Sequence, residues 1–282
     1  MRRLPVLAPL ALILAAPLAA QAVEITAGTS EYVTFRDCIP GAGACDTVSH
    51  IVSGRYGGSP GAVSSSAGES FAGYGSAAGS VSLSGVIGAP VLHASATSLA
   101  GKRVNTNSVA LQSYTYTGTT TTTRTFGGTL TYDLLATGYY PDNTGIYATI
   151  DAFSLTAAAI DAGTTAEDNF NALFNDDLSA WGYADIAAST WADNATNPAG
   201  AATLGVTVTL TPGETIWLRV LLQTPAANGS TVDASHTLVT GWSDVTDLTP
   251  AAVSTPVAEP ASLALFGLGL AATALARRRR GA

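Results

Sequence analysis

The chain has 282 residues, with 20 acidic against 12 basic residues and a formal net charge of −8. Between Val23 and Val257 nineteen acidic residues face six basic ones, of which only Lys102 and Arg103 are adjacent. Neutralising a phosphate backbone takes clustered cations, so nucleic acid is set aside as a partner. The abundance of Ser, Thr, Gly and Ala suits extended strands better than solvated helices.

The first 22 residues read as a secretory leader. Arg2 and Arg3 form a positive start, Leu4 to Leu18 is apolar, and Ala20-Gln21-Ala22 is a small-x-small cleavage site for signal peptidase. Cleavage after Ala22 leaves Val23 as the mature N-terminus. The adjacent arginines raise a twin-arginine alternative. Pro5 stands where that route takes a bulky apolar pair, which favours the general secretory route.

Short β-compatible runs, Glu31 to Arg36 and Val48 to Tyr56, flank Cys38 and Cys45 and are expected to pair as a hairpin. In an oxidising compartment the two cysteines read as a disulfide closing a turn, stabilising by about 2.5 kcal/mol in the chain-entropy account. A metal site using both thiolates and His50 lacks a fourth ligand of suitable spacing. Gly57 to Gly79 is so rich in Gly, Ser and Ala that it reads as a loop or irregular edge. Strands follow around Val81 and Leu83, over Val91 to Leu99, and over Asn105 to Thr117. Thr119 to Thr123 are five consecutive threonines, a hairpin tip or exposed edge; binding ice or sugar would need a two-dimensional array, which one run does not supply.

Further on, Leu130, Tyr132 and Leu134 alternate with polar residues, as do Ile146, Ala148 and Ile150, giving each segment one apolar and one polar face. From Asp161 to Asn197 the period changes. Phe170, Leu173, Phe174, Leu178 and Trp181 match a short helix over 165–181, with Thr165 and Asp168 spaced as a capping box, although the intervening Asn and Asp are poor helix formers. Val206, Val208 and Leu210, then Pro212-Gly213, then Ile216, Leu218, Val220 and Leu222 read as a hairpin. Asn228-Gly229 marks another turn before the strand from Thr231 to Trp242. The whole is an all-β ectodomain over residues 23–250, a β-sandwich with jelly roll as the favoured variant.

Few residues suggest chemistry. Gly57-Gly58-Ser59-Pro60-Gly61 has the form GxSxG, but a nucleophile elbow draws on the backbone N–H after the serine, and Pro60 has none. His50, His93 and His236 are scattered without metal-ligand spacing. Asp168, Asp176 and Asp177, with Glu167, Asn169, Asp185, Asp193 and Asn194, gather oxygen ligands that could serve Ca²⁺, though a solvated acidic face explains them more simply. No other cofactor is indicated. Trp181, Trp191, Trp217 and Trp242 could stack on sugar rings if exposed together.

After a linker over residues 251–257, the chain ends on three consecutive features. Ala258-Glu259-Pro260 precedes an uncharged segment over 261–276, which is followed by Arg277, Arg278, Arg279 and Arg280. Sixteen helical residues span about 24 Å, short of a ~30 Å hydrocarbon core, and arginines that snorkel make up the difference. The cationic flank stays cytoplasmic, which leaves the ectodomain on the far side. This order resembles the PEP-CTERM sorting domain of Gram-negative bacteria, with Ala258 where the motif has its first proline. The resemblance implies recognition and cleavage by an exosortase after transit through the inner membrane, then release at the cell surface or in the extracellular matrix. A plain single-pass anchor is the other reading. The expected function is a non-enzymatic surface or biofilm-matrix protein associated with extracellular polysaccharide. A secreted carbohydrate-binding, lectin-like module is the alternative, and a jelly-roll hydrolase, which needs two carboxylates about 5 to 10 Å apart in a groove, is a third.

Overall fold

The computed structural model describes residues 27–38, 53–60, 62–135, 144–155, 184–193 and 199–251. Among them are thirteen strands and no helix: β1 (Ala27–Asp37), β2 (Ser53–Pro60), β3 (Ser64–Phe71), β4 (Gly75–Ser84), β5 (Ala89–Ser98), β6 (Lys102–Tyr116), β7 (Thr122–Leu135), β8 (Tyr147–Leu155), β9 (Ala184–Asp193), β10 (Ala199–Leu210), β11 (Thr215–Ala227), β12 (Thr231–Trp242) and β13 (Leu248–Pro250). They form two antiparallel sheets. The first runs β2-β1-β6-β11-β8-β9, with β13 also paired to β6; the second runs β10-β7-β12-β5-β4-β3.

Strands β5 to β12 pair as a nested series: β5 with β12, β6 with β11, β7 with β10, and β8 with β9. That is one long antiparallel hairpin rolled up so that its successive pairs fall in alternate sheets, which is the jelly roll the alternation predicts. β1 and β2 widen the first sheet beyond β6, and β3 and β4 widen the second beyond β5.

The inward residues meet in one core. Val104, Ala110, Tyr114 and Tyr116 of β6 and Ile216, Leu218, Val220 and Leu222 of β11 face Leu92, Ala94 and Ala96 of β5 and Leu204, Val206, Val208 and Leu210 of β10. At one end Trp242 packs edge-on against Tyr114 (centroids 5.5 Å apart, planes at 86°) and against Phe126 (5.2 Å, 68°). Such contacts add to the burial of the rings themselves. Arg124 closes this end, donating to the carbonyls of Asp244 (3.0 Å) and Thr246 and pairing with the Asp244 carboxylate at 3.3 Å.

Two expectations change. The Pro212-Gly213 turn is present, with Glu214 N–H donating to Thr211 O at 3.0 Å, but the strands it joins lie in opposite sheets. The apolar sides of β10 and β11 therefore face each other across the core, an arch in place of a hairpin. The Asn228-Gly229 turn stands where expected, before β12, with Asn228 (φ 56°) and Gly229 (φ 87°) both left-handed, and it too carries the chain between sheets. The stretch read as a loop or irregular edge, Gly57 to Gly79, holds the end of edge strand β2, all of edge strand β3 and half of β4. Small side chains are wanted there because the sheets approach closely: a Cβ on Gly79 would lie 2.2 Å from Glu31 Oε2 on the opposing sheet. The helix expected over 165–181 lies outside the described residues up to 181.

Candidate ligand-binding face

The outward surface of the second sheet is built by alternation. On β10 and β7 the inward side chains of Leu204, Val206, Val208, Leu210, Phe126, Leu130 and Leu134 are buried, which turns Thr203, Thr207, Thr209, Thr123, Thr125 and Thr129 to solvent. On β3 and β4 the same rule presents Ser64, Ser66, Ser70, Ser76 and Ser84. The register aligns these residues in ranks: Thr209 with Thr123, Thr207 with Thr125, and Thr203 with Thr129. Thr125 and Thr207 hydroxyls lie 3.0 Å apart and those of Thr97 and Thr231 3.2 Å apart, each within hydrogen-bond reach. Strands about 4.8 Å apart and side chains repeating about every 6.7 Å along each strand make this a two-dimensional hydroxyl lattice. One threonine run could not have revealed it, because most of its members come from other strands.

A rank of glycines crosses the lattice. Gly205 pairs with Gly127, and Gly127 with Gly241. Thr203, Thr129 and Val239 form one wall of the resulting trough; Thr207, Thr125 and Ser243 form the other, Ser243 Oγ accepting from Thr125 N–H at 3.1 Å. Gly127 is required by the backbone, since a Cβ there would sit 2.4 Å from Leu204 O. Gly241 is not: a Cβ would meet nothing within 4 Å, and at Gly205 it would make only ordinary contacts, the nearest at 3.4 Å. Two of the three glycines thus leave open a space that the fold could fill.

The chemistry of this face is hydroxylic, with carboxylates at one place only among its described outward positions. Among the described side chains its outward positions carry no Phe, Tyr or Trp and no Lys or Arg. Asp133 and Asp233 are register partners on it, and His93 also points outward. A shallow depression of about 410 Å³ near β3 is lined by Gly68, Glu69, Ser70, Ser76, Ala77, Ala78 and Ser95.

The other expected residues are placed as follows. Cys38 is engaged in a disulfide and its N–H donates to Gly101 O at 3.1 Å; Cys45, the second cysteine of the sequence, lies outside the described residues. Ser59 pairs with Thr29 within edge strand β2, so no strand-turn-helix elbow surrounds it. Trp217 and Trp242 are buried; the side chain of Trp191, and Trp181 altogether, lie outside the described residues. So do Ala20, Ala22, Asp168, Asp176, Asp177, Ala258, Glu259, Pro260 and Arg277 to Arg280. No group of three His, Cys, Asp or Glu among the described residues could hold a metal ion, and among these residues there is no helix long and apolar enough to cross a membrane.

Two buried polar sites escaped the sequence. Arg219 and Asp151 are register partners with side chains about 6% exposed, and Arg219 donates through Nε (2.9 Å) and Nη2 (2.7 Å) to Asp151 Oδ2. On the side of β8 that alternation marks as polar, Asp151 and Phe153 are buried. Glu31 is fully buried on the inner side of β1, and burial pushes its carboxyl up to about 9 against the opposing pull of a hydrogen bond with Ser108.

Residues 256–280 match the family pattern described as the PEP-CTERM protein-sorting motif. The chain carries a PEP-CTERM sorting domain. The motif marks a PEP-CTERM protein as exported, passing through the membrane and handled by an exosortase. No curated protein matches the chain. Among solved structures it is similar to a carbohydrate-binding module of the beta-sandwich super family, studied for promiscuous specificity, at 12% identity over 77% of this chain and 86% of that one, with a TM-score of 0.25. That likeness is too slight to bear on ligand or topology.

Proposed function

We propose that this is a non-enzymatic exported protein, freed by an exosortase at the cell surface, whose sandwich joins extracellular polysaccharide through the outer face of the second sheet. The observation that carries the reading is the trough of Gly205, Gly127 and Gly241 between two threonine-bearing ranks. A neutral polyhydroxylated chain offers donors and acceptors at a spacing that hydroxyl rows can meet, and water can bridge where the fit is imperfect. Ring stacking on this face, as in a lectin built on aromatic platforms, is disfavoured because its described outward positions carry no aromatic side chain and Trp242 of β12 is buried.

The test is co-sedimentation of the exported protein with polysaccharide stripped from the matrix of the producing cells. Gly205→Val with Gly241→Val fills the trough with strand-favouring side chains that the backbone accepts. Retention is expected to fall at least about tenfold in this double variant, equivalent to one lost contact of ~1.4 kcal/mol. Equal retention of both proteins would remove the face from the function. Terminal peptide mapping of the same material tests the sorting step: an end near Glu259 supports release, whereas retention of Arg277 to Arg280 means an anchor.

A further inference from the structure

Among the described residues the two sheets have four edge strands: β2 and β9 in the first, β10 and β3 in the second. An edge presents unpaired N–H and C=O groups to any other strand, and proteins blunt such edges with charge, proline, bulges or shortness. Three of these edges are blunted. β2 carries Arg55 and ends in Pro60; β3 is eight residues long and carries Glu69; β9 carries Asp185 and Asp193 and pairs with β8 through a register shift.

β10 has none of these devices. It is the longest of the four at 12 residues, Ala-Gly-Ala-Ala-Thr-Leu-Gly-Val-Thr-Val-Thr-Leu, without charge or proline. Its register with β7 is unbroken from Ala199↔Asp133 to Leu210↔Thr122, so no bulge interrupts the edge. Among the described residues it pairs with β7 alone. Its inward Leu204, Val206, Val208 and Leu210 are already buried, so the strand needs no further apolar cover and offers its backbone ladder.

We infer that β10 is a self-association edge, the partner being β10 of a second copy of this chain in antiparallel pairing. Antiparallel pairing of one strand with itself is two-fold symmetric and closes at a dimer. An uncharged strand does not repel its own copy, whereas a strand bearing Asp185 and Asp193, as β9 does, has like charges to bring together. The joined sheets would run to twelve strands and make one continuous hydroxyl face from the two existing ones. This inference goes beyond the polysaccharide reading and stands without it.

The experiment is light scattering and sedimentation velocity on the exported protein across a dilution series, with hydrogen exchange at each end of the series. The native protein is expected to dimerise, with β10 amides gaining protection as concentration rises. Thr203→Lys with Thr207→Lys places cations on two solvent-exposed positions, giving up only the open-surface Thr125–Thr207 hydroxyl pair, and is expected to weaken the dimer at least about tenfold. A Thr203→Glu, Thr207→Glu chain is expected to weaken it likewise, and an equimolar mixture of the two variants to restore pairing as a heterodimer. A monomer at every concentration overturns the inference. So does a dimer that the lysine variant leaves intact, or one whose formation leaves β10 amides unprotected. Matching far-UV circular dichroism of variants and native protein separates lost pairing from lost folding.

Discussion

The central strands of the first sheet are buried on both faces, while those of the second are buried on one. Val109, Leu111, Trp217, Arg219, Leu221, Asp151 and Phe153 all point away from the core of the sandwich and are nonetheless covered. Their counterparts on β7, and on the edge strand β10 beside it, are threonines in water. A sheet covered twice must satisfy every polar group it encloses, whereas a sheet covered once can devote its free side to a partner. The first sheet therefore concentrates stability, and the second concentrates the surface available for recognition.

The sharpest way to break that division is at the ion pair. Arg219→Ala leaves the Asp151 carboxylate enclosed without this cation, and an uncompensated buried charge costs about 3–5 kcal/mol. Chemical denaturation is expected to show a loss of that size. Replacing both partners together, Arg219→Met with Asp151→Leu, is expected to recover most of it, because the pair's mutual attraction chiefly offsets its own desolvation. A double variant as damaged as the single one would mean that other groups around the pair matter more than the pair itself.

Glu31 gives the next largest effect and a sign that distinguishes it from an ordinary surface carboxylate. In the folded chain its carboxyl titrates at about 9, against 4.5 for the ordinary value. Between those values the native state holds a proton that the unfolded state has released, so stability falls as pH rises. The contribution is fully present below about pH 4.5 and lost by about pH 9, with a slope of at most ~1.4 kcal/mol per pH unit. Glu31→Gln keeps a neutral side chain of similar shape and is expected to flatten the decline between pH 6 and 8. An unchanged slope in that variant would assign the decline to other groups.

These residues also show how far the sequence could be read. Alternation identified the apolar sides of β7, β8, β10 and β11 correctly, because period two is a local property. It could not say whether β10 and β11 lie side by side or face to face, since both arrangements turn Val206 and Leu218 toward the same core. Asp151 alternates like a surface residue because alternation reports which face, not whether that face is wet. β3 and β4 were hidden by their own composition: Ser, Gly and Ala mark loops by propensity, and here they serve close sheet contact at Gly79. The threonine lattice was invisible for a different reason, as its ranks join residues such as Thr125 and Thr207 that are 82 positions apart.

The smallest effect tests the exposed sheet directly. Thr207→Ala removes one hydroxyl of the Thr125–Thr207 pair, whose two oxygens stand 3.0 Å apart on an open surface. Water can replace the lost partner at that position, so folding stability is expected to change by no more than about 0.5 kcal/mol. Adding Thr125→Ala and Thr209→Ala extends the loss along one wall of the trough and onto the rank beyond it, still without touching the core. If the second sheet keeps its free side for recognition, the triple variant should melt within a few degrees of the native protein yet hold polysaccharide more weakly. A large fall in melting temperature would instead make the threonines structural, since β-branched cross-strand pairs also stabilise sheets by packing. Unchanged melting with unchanged retention would leave the hydroxyl lattice with neither role, and the division between the two sheets would then rest on burial alone.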